Sequence, residues 1–200
     1  MLSKPKNIIT LIMAAGSSSR MGAPKQLLPW KEATLIEDVI TKVLHLNTFK
    51  AIVVLGANED KIAPKIASYP IEIIHNIEWE KGLGNSIAFG IRHIKKNYDV
   101  DSVLVTLADQ PLIEATYLKV MIDLFETDKN QIIATKYQNG KLGVPALFDK
   151  SYLLELSSID GDKGAKSILE KYTNSVITTQ IDTNVFDVDT DEDYKRLKKL

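Results

Sequence analysis

Six short runs of apolar, largely β-branched residues recur along this chain, at 8–13, 51–55, 71–74, 102–107, 131–135 and 175–181. The segments between most of them carry apolar residues at helical spacing. A strand that is apolar on both alternating faces must be covered from both sides, which is the habit of a mainly parallel sheet between two helix layers. The pattern predicts a three-layer α/β/α sandwich with a mainly parallel, Rossmann-like sheet, formed as a single domain over 1–200. Helices are expected at 34–46, 85–96, 115–125, 165–172 and 191–200, the last opening from Thr190 as its N-cap. The stretch 136–145, rich in Gly and polar residues, is expected to be a loop with strand pieces. No internal repeat, linker or low-complexity tract interrupts the series.

In such a sheet, ligands bind beyond the carboxyl ends of strands, where the chain order reverses. The first run leads straight into Ala14-Ala15-Gly16-Ser17-Ser18-Ser19-Arg20-Met21-Gly22-Ala23-Pro24-Lys25. Two glycines and three serines let the backbone approach a ligand and aim N–H groups at anionic oxygens, while Arg20 and Lys25 add fixed positive charge. The loop suits a nucleoside triphosphate. It is not a P-loop, because five residues separate Gly16 from Gly22 and no Ser or Thr follows Lys25, and it is not the G-x-G-x-x-G fingerprint either. A plain surface turn also uses Gly and Ser. The position after the first strand, with two cations at the far end, favours the phosphate reading.

Asp109 follows the run Val103-Leu104-Val105-Thr106-Leu107, which brings its carboxylate out at the sheet's carboxyl edge. Magnesium is commonly anchored there by one or two carboxylates plus substrate phosphates. The alternative for Asp109-Gln110-Pro111 is a turn that caps a helix. Near the C-terminus, Asp187 and Asp189 lie two apart and share a face of an extended segment, so spacing does not choose between them. Asp191, Glu192 and Asp193 suit the N-terminal dipole of the last helix.

The formal net charge of -1 gives no broad basic surface for a nucleic-acid backbone, so the ligand is expected to be small and its phosphates held by a local cluster of cations. There is no cysteine, which excludes disulfides, thiolate metal sites and a cysteine nucleophile. Lys4 and Lys6 precede an apolar run that breaks at Gly16, too short for a membrane span, and a cytoplasmic location is the expectation. His45, His75 and His93 have no metal-ligand spacing and receive no role.

Ala14-Ala15-Gly16 through Arg20-Met21-Gly22 and Lys25 resembles the signature loop of the nucleotidyltransferases that include the molybdenum cofactor guanylyl- and cytidylyltransferases and, more distantly, the sugar-phosphate nucleotidyltransferases. Leu107-Ala108-Asp109-Gln110-Pro111 is similar to that family's metal-binding strand end. Gly161-Asp162-Lys163-Gly164-Ala165-Lys166 is similar to a late substrate loop, and Phe186-Asp187-Val188-Asp189-Thr190 to a C-terminal metal motif. Four blocks in order span almost the whole chain. The resemblance implies a sheet of the nucleotidyltransferase type and magnesium-dependent transfer of a nucleoside monophosphate to a phosphorylated small acceptor, with release of pyrophosphate. Arg20 and Lys25 are then catalytic, Asp109 and Asp189 hold the metal, and Ala14, Ala15, Gly16, Ser17, Ser18 and Gly22 hold the nucleotide. Gly82-Leu83-Gly84-Asn85-Ser86 resembles the segment lining the nucleoside pocket, which brings in Gly82 and Ser86.

The Ala-Ala-Gly form is similar to the cytidylyl-transferring branch, since users of guanosine triphosphate carry a second glycine where Ala15 stands. On the acceptor side the resemblance implies Gly143, Pro145, Asp162 and Lys166. Here the chain departs from the family: Val144 replaces the His of a Gly-His-Pro form, and Lys166 stands where relatives carry Arg, keeping the charge and losing the bidentate fork. Cytidine triphosphate with molybdopterin as acceptor is the leading reading, with a molybdoenzyme or its chaperone as the implied protein partner. A sugar phosphate or phosphorylated alcohol is the rival acceptor. A nucleotide-binding regulatory or delivery module for a molybdoenzyme is the rival from another class.

Overall fold

A computed structural model describes residues 6–180 and 185–200; Lys4 and the expected strand end Ile181 lie outside them. The strands are β1 (Ile8–Ala14), β2 (Pro29–Trp30), β3 (Ala33–Thr34), β4 (Lys50–Leu55), β5 (Glu72–His75), β6 (Ser102–Leu107), β7 (Ile132–Lys136), β8 (Leu142–Asp149) and β9 (Val176–Gln180). The helices are α1 (Leu35–Leu44), α2 (Glu59–Ile66), α3 (Leu83–Asn97), α4 (Ala115–Leu124), α5 (Leu153–Leu156), α6 (Lys166–Lys171) and α7 (Asp191–Leu197).

Seven strands form one sheet in the order β5-β4-β1-β6-β8-β7-β9, and β2 with β3 makes a small hairpin. β1 is central, pairing in parallel with β4 on one side and β6 on the other. The chain order reverses around it, which is the switch point expected of a ligand-binding sheet.

Alternation along β1 divides the core. Ile9, Leu11 and Met13 pack with Ile87, Ile91 and Ile94 of α3, whereas Ile8 and Ile12 pack with Val39 and Ile40 of α1 on the opposite face. The two-sided burial read from the apolar runs is thus met by two helix layers. α3 crosses β1 closely at Gly90, where a Cβ would lie 2.7 Å from a Leu11 methyl. Leu11 is fully buried, so truncating it to Ala is expected to cost about 2–5 kcal/mol.

The stretch 136–145 is a loop with strand pieces, running from the end of β7 at Lys136 to the start of β8 at Leu142. Other local expectations are corrected. β8 runs antiparallel to both β6 and β7, and this reversal inside an otherwise parallel sheet left no mark in an apolar run. α2 does not show in the apolar periodicity, because Asn58, Pro64 and a charged surface mask its two buried positions, Ile62 and Ile66. α3 begins two residues earlier than expected, at Leu83, and α7 ends three earlier, at Leu197.

α7 opens as the sequence indicates. The Thr190 hydroxyl accepts from the Asp193 N–H at 3.2 Å, and the Asp193 carboxylate accepts from the Thr190 N–H at 2.9 Å. Among the described residues, no helix is long and apolar enough to cross a membrane.

Candidate active site

The carboxyl ends of β1 and β6 open into a cleft of about 490 Å³, walled by the loop after β1, the start of α3, Asp109, Asp187 and Asp189. The loop after β1 is held open from behind. The Gln26 side-chain amide is 2 % exposed and donates to the carbonyls of Ala14 and Gly16, both at 3.0 Å. The Ser18 hydroxyl accepts from the Lys25 N–H at 2.9 Å, folding the far end of the loop back so that the Lys25 side chain enters the cleft. Ser18 and Gly22 take positive φ values of 57° and 65°, which turn the chain.

Lys25 is the electrostatic centre. Its ammonium lies 2.5 Å from Asp109 Oδ2 and 2.6 Å from Asp189 Oδ1, and the Arg20 guanidinium reaches the other oxygen of Asp189 at 3.3 Å. Burial works against the lysine's charge, but the Asp109 and Asp189 carboxylates outweigh it and hold its pKa above the ordinary lysine value. For Asp189 burial pushes the other way from its partners, and the hydrogen bond and charge of Lys25, helped by Arg20, hold its carboxyl below the usual range.

Asp109 does not cap a helix; α4 starts from Glu114. Its carbonyl accepts from the Val188 N–H at 3.0 Å, which sews the C-terminal motif to the end of β6. Its Oδ1 is buried and without a partner among the described residues. The neighbouring Asp187 turns to Gln110, whose amide donates to it at 2.8 Å. Loss of surrounding water, followed by the like charge of Asp109, pushes the Asp187 carboxyl up. The structure therefore separates two carboxylates that spacing left equivalent: Asp189 faces the cations and Asp187 the amide.

The opposite wall depends on glycine. Gly82 has φ +101°, and a Cβ there would run into Asp162 and the Gly161 carbonyl. At Gly56 a Cβ would meet Trp79 Cβ at 2.5 Å and the Ala15 carbonyl at 2.8 Å, so its absence lets Trp79 stand against the signature loop.

Residues 10–176 match the MobA-like NTP transferase domain. The chain belongs to that family. Nicotine blue oxidoreductase of Paenarthrobacter nicotinovorans is 29% identical over 199 residues, with 94% of each chain covered. Molybdenum cofactor cytidylyltransferase of Escherichia coli is 25% identical over 193 residues, again with 94% of each covered. A solved structure, Rv0371c from Mycobacterium tuberculosis, superposes with a TM-score of 0.86 at 25% identity, covering 99% of this chain and all of that one. The family is that of nucleotidyltransferases, and the sandwich of a mostly parallel sheet between helices is its fold.

In this MobA-like domain the structure brings Ala14, Ala15, Gly16, Ser17, Arg20, Lys25, Gly82, Ser86, Asp109 and Asp189 into one cleft. Ser18 and Gly22 shape the loop from outside the cleft wall. An adjoining hollow of about 370 Å³ shares Leu83, Leu107 and Asp187 with the cleft and is lined by Gly143, Val144 and Lys166. Asp162, expected with the acceptor residues, stands instead in the first cleft beside Gly82. Pro145 faces neither space: it is buried in β8, where its carbonyl accepts from the Thr135 hydroxyl at 2.8 Å.

Sequence reasoning missed Gln26, Asn76, Gln110 and Tyr137. Gln110 donates to Tyr137 Oη at 2.9 Å as well as to Asp187, and burial pushes the Tyr137 phenol's pKa up. The usable signal was position, since Gln26 follows Lys25 and Gln110 follows Asp109 directly.

Proposed function

We propose that this chain transfers CMP from cytidine triphosphate to a phosphorylated small acceptor, with the molybdenum cofactor as the first candidate. A phosphate oxygen of the acceptor attacks the α-phosphorus, and the bond to the pyrophosphate oxygen breaks, so pyrophosphate leaves with the electron pair. The observation that carries the reading is the Lys25 ammonium set between Asp109 and Asp189 at the mouth of a Gly/Ser loop, with Arg20 at its rim.

Each group has work suited to its chemistry. Backbone N–H groups of 15–18 cradle phosphate oxygens, Arg20 grips the outer phosphates with its planar fork, and Lys25 places a compact charge beside the α-phosphate. Catalysis by such a set is positioning and electrostatic stabilisation without a covalent intermediate.

The donor set fits a divalent cation. Two carboxylates converge from different elements, and Asp109 keeps a buried oxygen with no partner among the described residues. Asp109 and Asp189 would hold magnesium, which neutralises charge on the triphosphate when bound. Lys25 occupies the space between them, so it has to yield part of its contact as the cation arrives.

The cytidine assignment is supported by Ala15, buried in the cleft wall with its methyl in place of a second glycine, and by the similarity to a cytidylyltransferase along almost the whole chain. A second acceptor, a sugar phosphate or phosphorylated alcohol, is favoured by Val144 and Lys166 in the adjoining hollow, where the departures from the family fall. Pyrophosphate release with each nucleoside triphosphate and each acceptor, with and without magnesium, tests the reading. A protein that binds nucleotide and never releases pyrophosphate would instead be a regulatory or delivery module.

A further inference from the structure

Behind the cleft wall, three polar side chains at the end of β5 and the start of α3 form a closed network: Asn76, Asn85 and Ser86 are 1 %, 8 % and 2 % exposed. The orientation of the Asn76 amide is set by a backbone donor. Its Oδ1 accepts from the Glu78 N–H at 3.1 Å, so Nδ2 must face the helix. Both Nδ2 hydrogens are then spent, one on Asn85 Oδ1 at 3.1 Å and one on Ser86 Oγ at 3.0 Å. Asn76 is therefore saturated and can only donate to Ser86.

That turns the Ser86 O–H away from Asn76. Its oxygen receives the Asn76 hydrogen, and its own hydrogen has no acceptor among the described residues, although Ser86 lines the cleft. We infer that Asn76 is a positioning residue: it holds the Ser86 O–H as a donor toward the cleft, for an acceptor atom on the nucleotide's base. A ring nitrogen or carbonyl oxygen satisfies that donor, as on the O2/N3 edge of cytosine, while a ring N–H at the same place does not. This rests on the nucleotide reading of the cleft and adds how the base is read.

The test uses Asn76→Ala, which frees the rotor, and the near-isosteric Asn76→Asp, which keeps the bond from Glu78 N–H but turns into an acceptor that draws the Ser86 hydrogen away. Calorimetry with cytidine triphosphate should show binding about tenfold weaker for Asn76→Ala, the size expected for one misaligned hydrogen bond, and weaker still for Asn76→Asp. KM should rise with kcat little changed. Inorganic tripolyphosphate, which has no base, should bind both variants as it binds the parent. In a Ser86→Ala background, either Asn76 change should cost almost nothing further. Equal loss for tripolyphosphate, or the same loss with and without Ser86, would make Asn76 a purely structural residue and overturn the inference. A parent that binds tripolyphosphate but no nucleoside triphosphate would overturn the nucleotide reading on which it rests.

Discussion

Replacing Lys25 with Met tests the electrostatic centre, because it predicts opposite changes in two quantities. In the parent, any cation entering between Asp109 and Asp189 has to displace an ammonium 2.5 Å from one carboxylate and 2.6 Å from the other. Asp189's side chain is 38% exposed, which puts its contact close to the surface regime, while Lys25 and Asp109 are 12% and 16% exposed, where the cost of desolvation offsets the stronger attraction. Two contacts at about 0.5–1 kcal/mol each give about 1–2 kcal/mol, and their loss leaves the two carboxylates without the ammonium between them, Asp189 keeping Arg20 at 3.3 Å. Manganese alone should then bind Lys25→Met about 5- to 30-fold more tightly than the parent, read by electron paramagnetic resonance titration of free Mn²⁺. Turnover should move the other way, falling by about two or more orders of magnitude, as expected on losing a preorganised charge beside the reacting phosphorus. A variant that binds manganese no more tightly would show that the two carboxylates do not share a cation. One that keeps its rate would remove Lys25 from the chemistry.

Asp109→Ala should fold and lose magnesium-dependent activity by about two orders of magnitude, checked by circular dichroism and pyrophosphate release. Asp193→Ala removes the carboxylate that accepts from the N–H groups of Asp189 and Thr190 at 3.2 and 2.9 Å, and should lower stability by about 1 kcal/mol in urea unfolding. Asp189, held below its ordinary value of 3.8, stabilises the fold above that pH and ceases to do so as pH falls through its lowered folded value. In Lys25→Met this acid-side loss should begin at higher pH, seen as an upward shift in the acid-unfolding midpoint. Ala15→Gly should move competition between cytidine and guanosine triphosphates toward the purine by about tenfold or more, since one methyl in a pocket discriminates by roughly 1–3 kcal/mol.

The parallel core of the sheet was legible because two-sided burial writes itself into continuous apolar runs, as in Ile8 to Met13. β8 was not, since Gly143, Val144 and Pro145 break its pattern and direction leaves no trace in hydrophobicity. Arg20, Lys25 and Asp109 could be placed together because each directly follows or ends a block whose chemistry needs charge, whereas Asp189 was singled out from Asp187 by the family resemblance alone. Their supports were hidden for a physical reason. Gln26, Asn76 and Gln110 act through amide hydrogen bonds to backbone and neighbours, and an isolated Asn or Gln has no spacing rule that announces such a role. The position of Asp162 beside Gly82 was not legible because it is a tertiary contact, made where α3 meets the 160–162 turn through the Gly84 N–H and the Gly161 carbonyl at 2.7 Å.

The central claim is nucleotidyl transfer, and pyrophosphate release measures it most directly. The purified protein, magnesium and the molybdenum cofactor, or a panel of sugar and alcohol phosphates, would be incubated with each of the four nucleoside triphosphates. The account predicts magnesium-dependent pyrophosphate that appears only when an acceptor is present, fastest with cytidine triphosphate, and lowered about a hundredfold by Asp109→Ala. Folded protein that binds cytidine triphosphate and yields no pyrophosphate with any pair would contradict it.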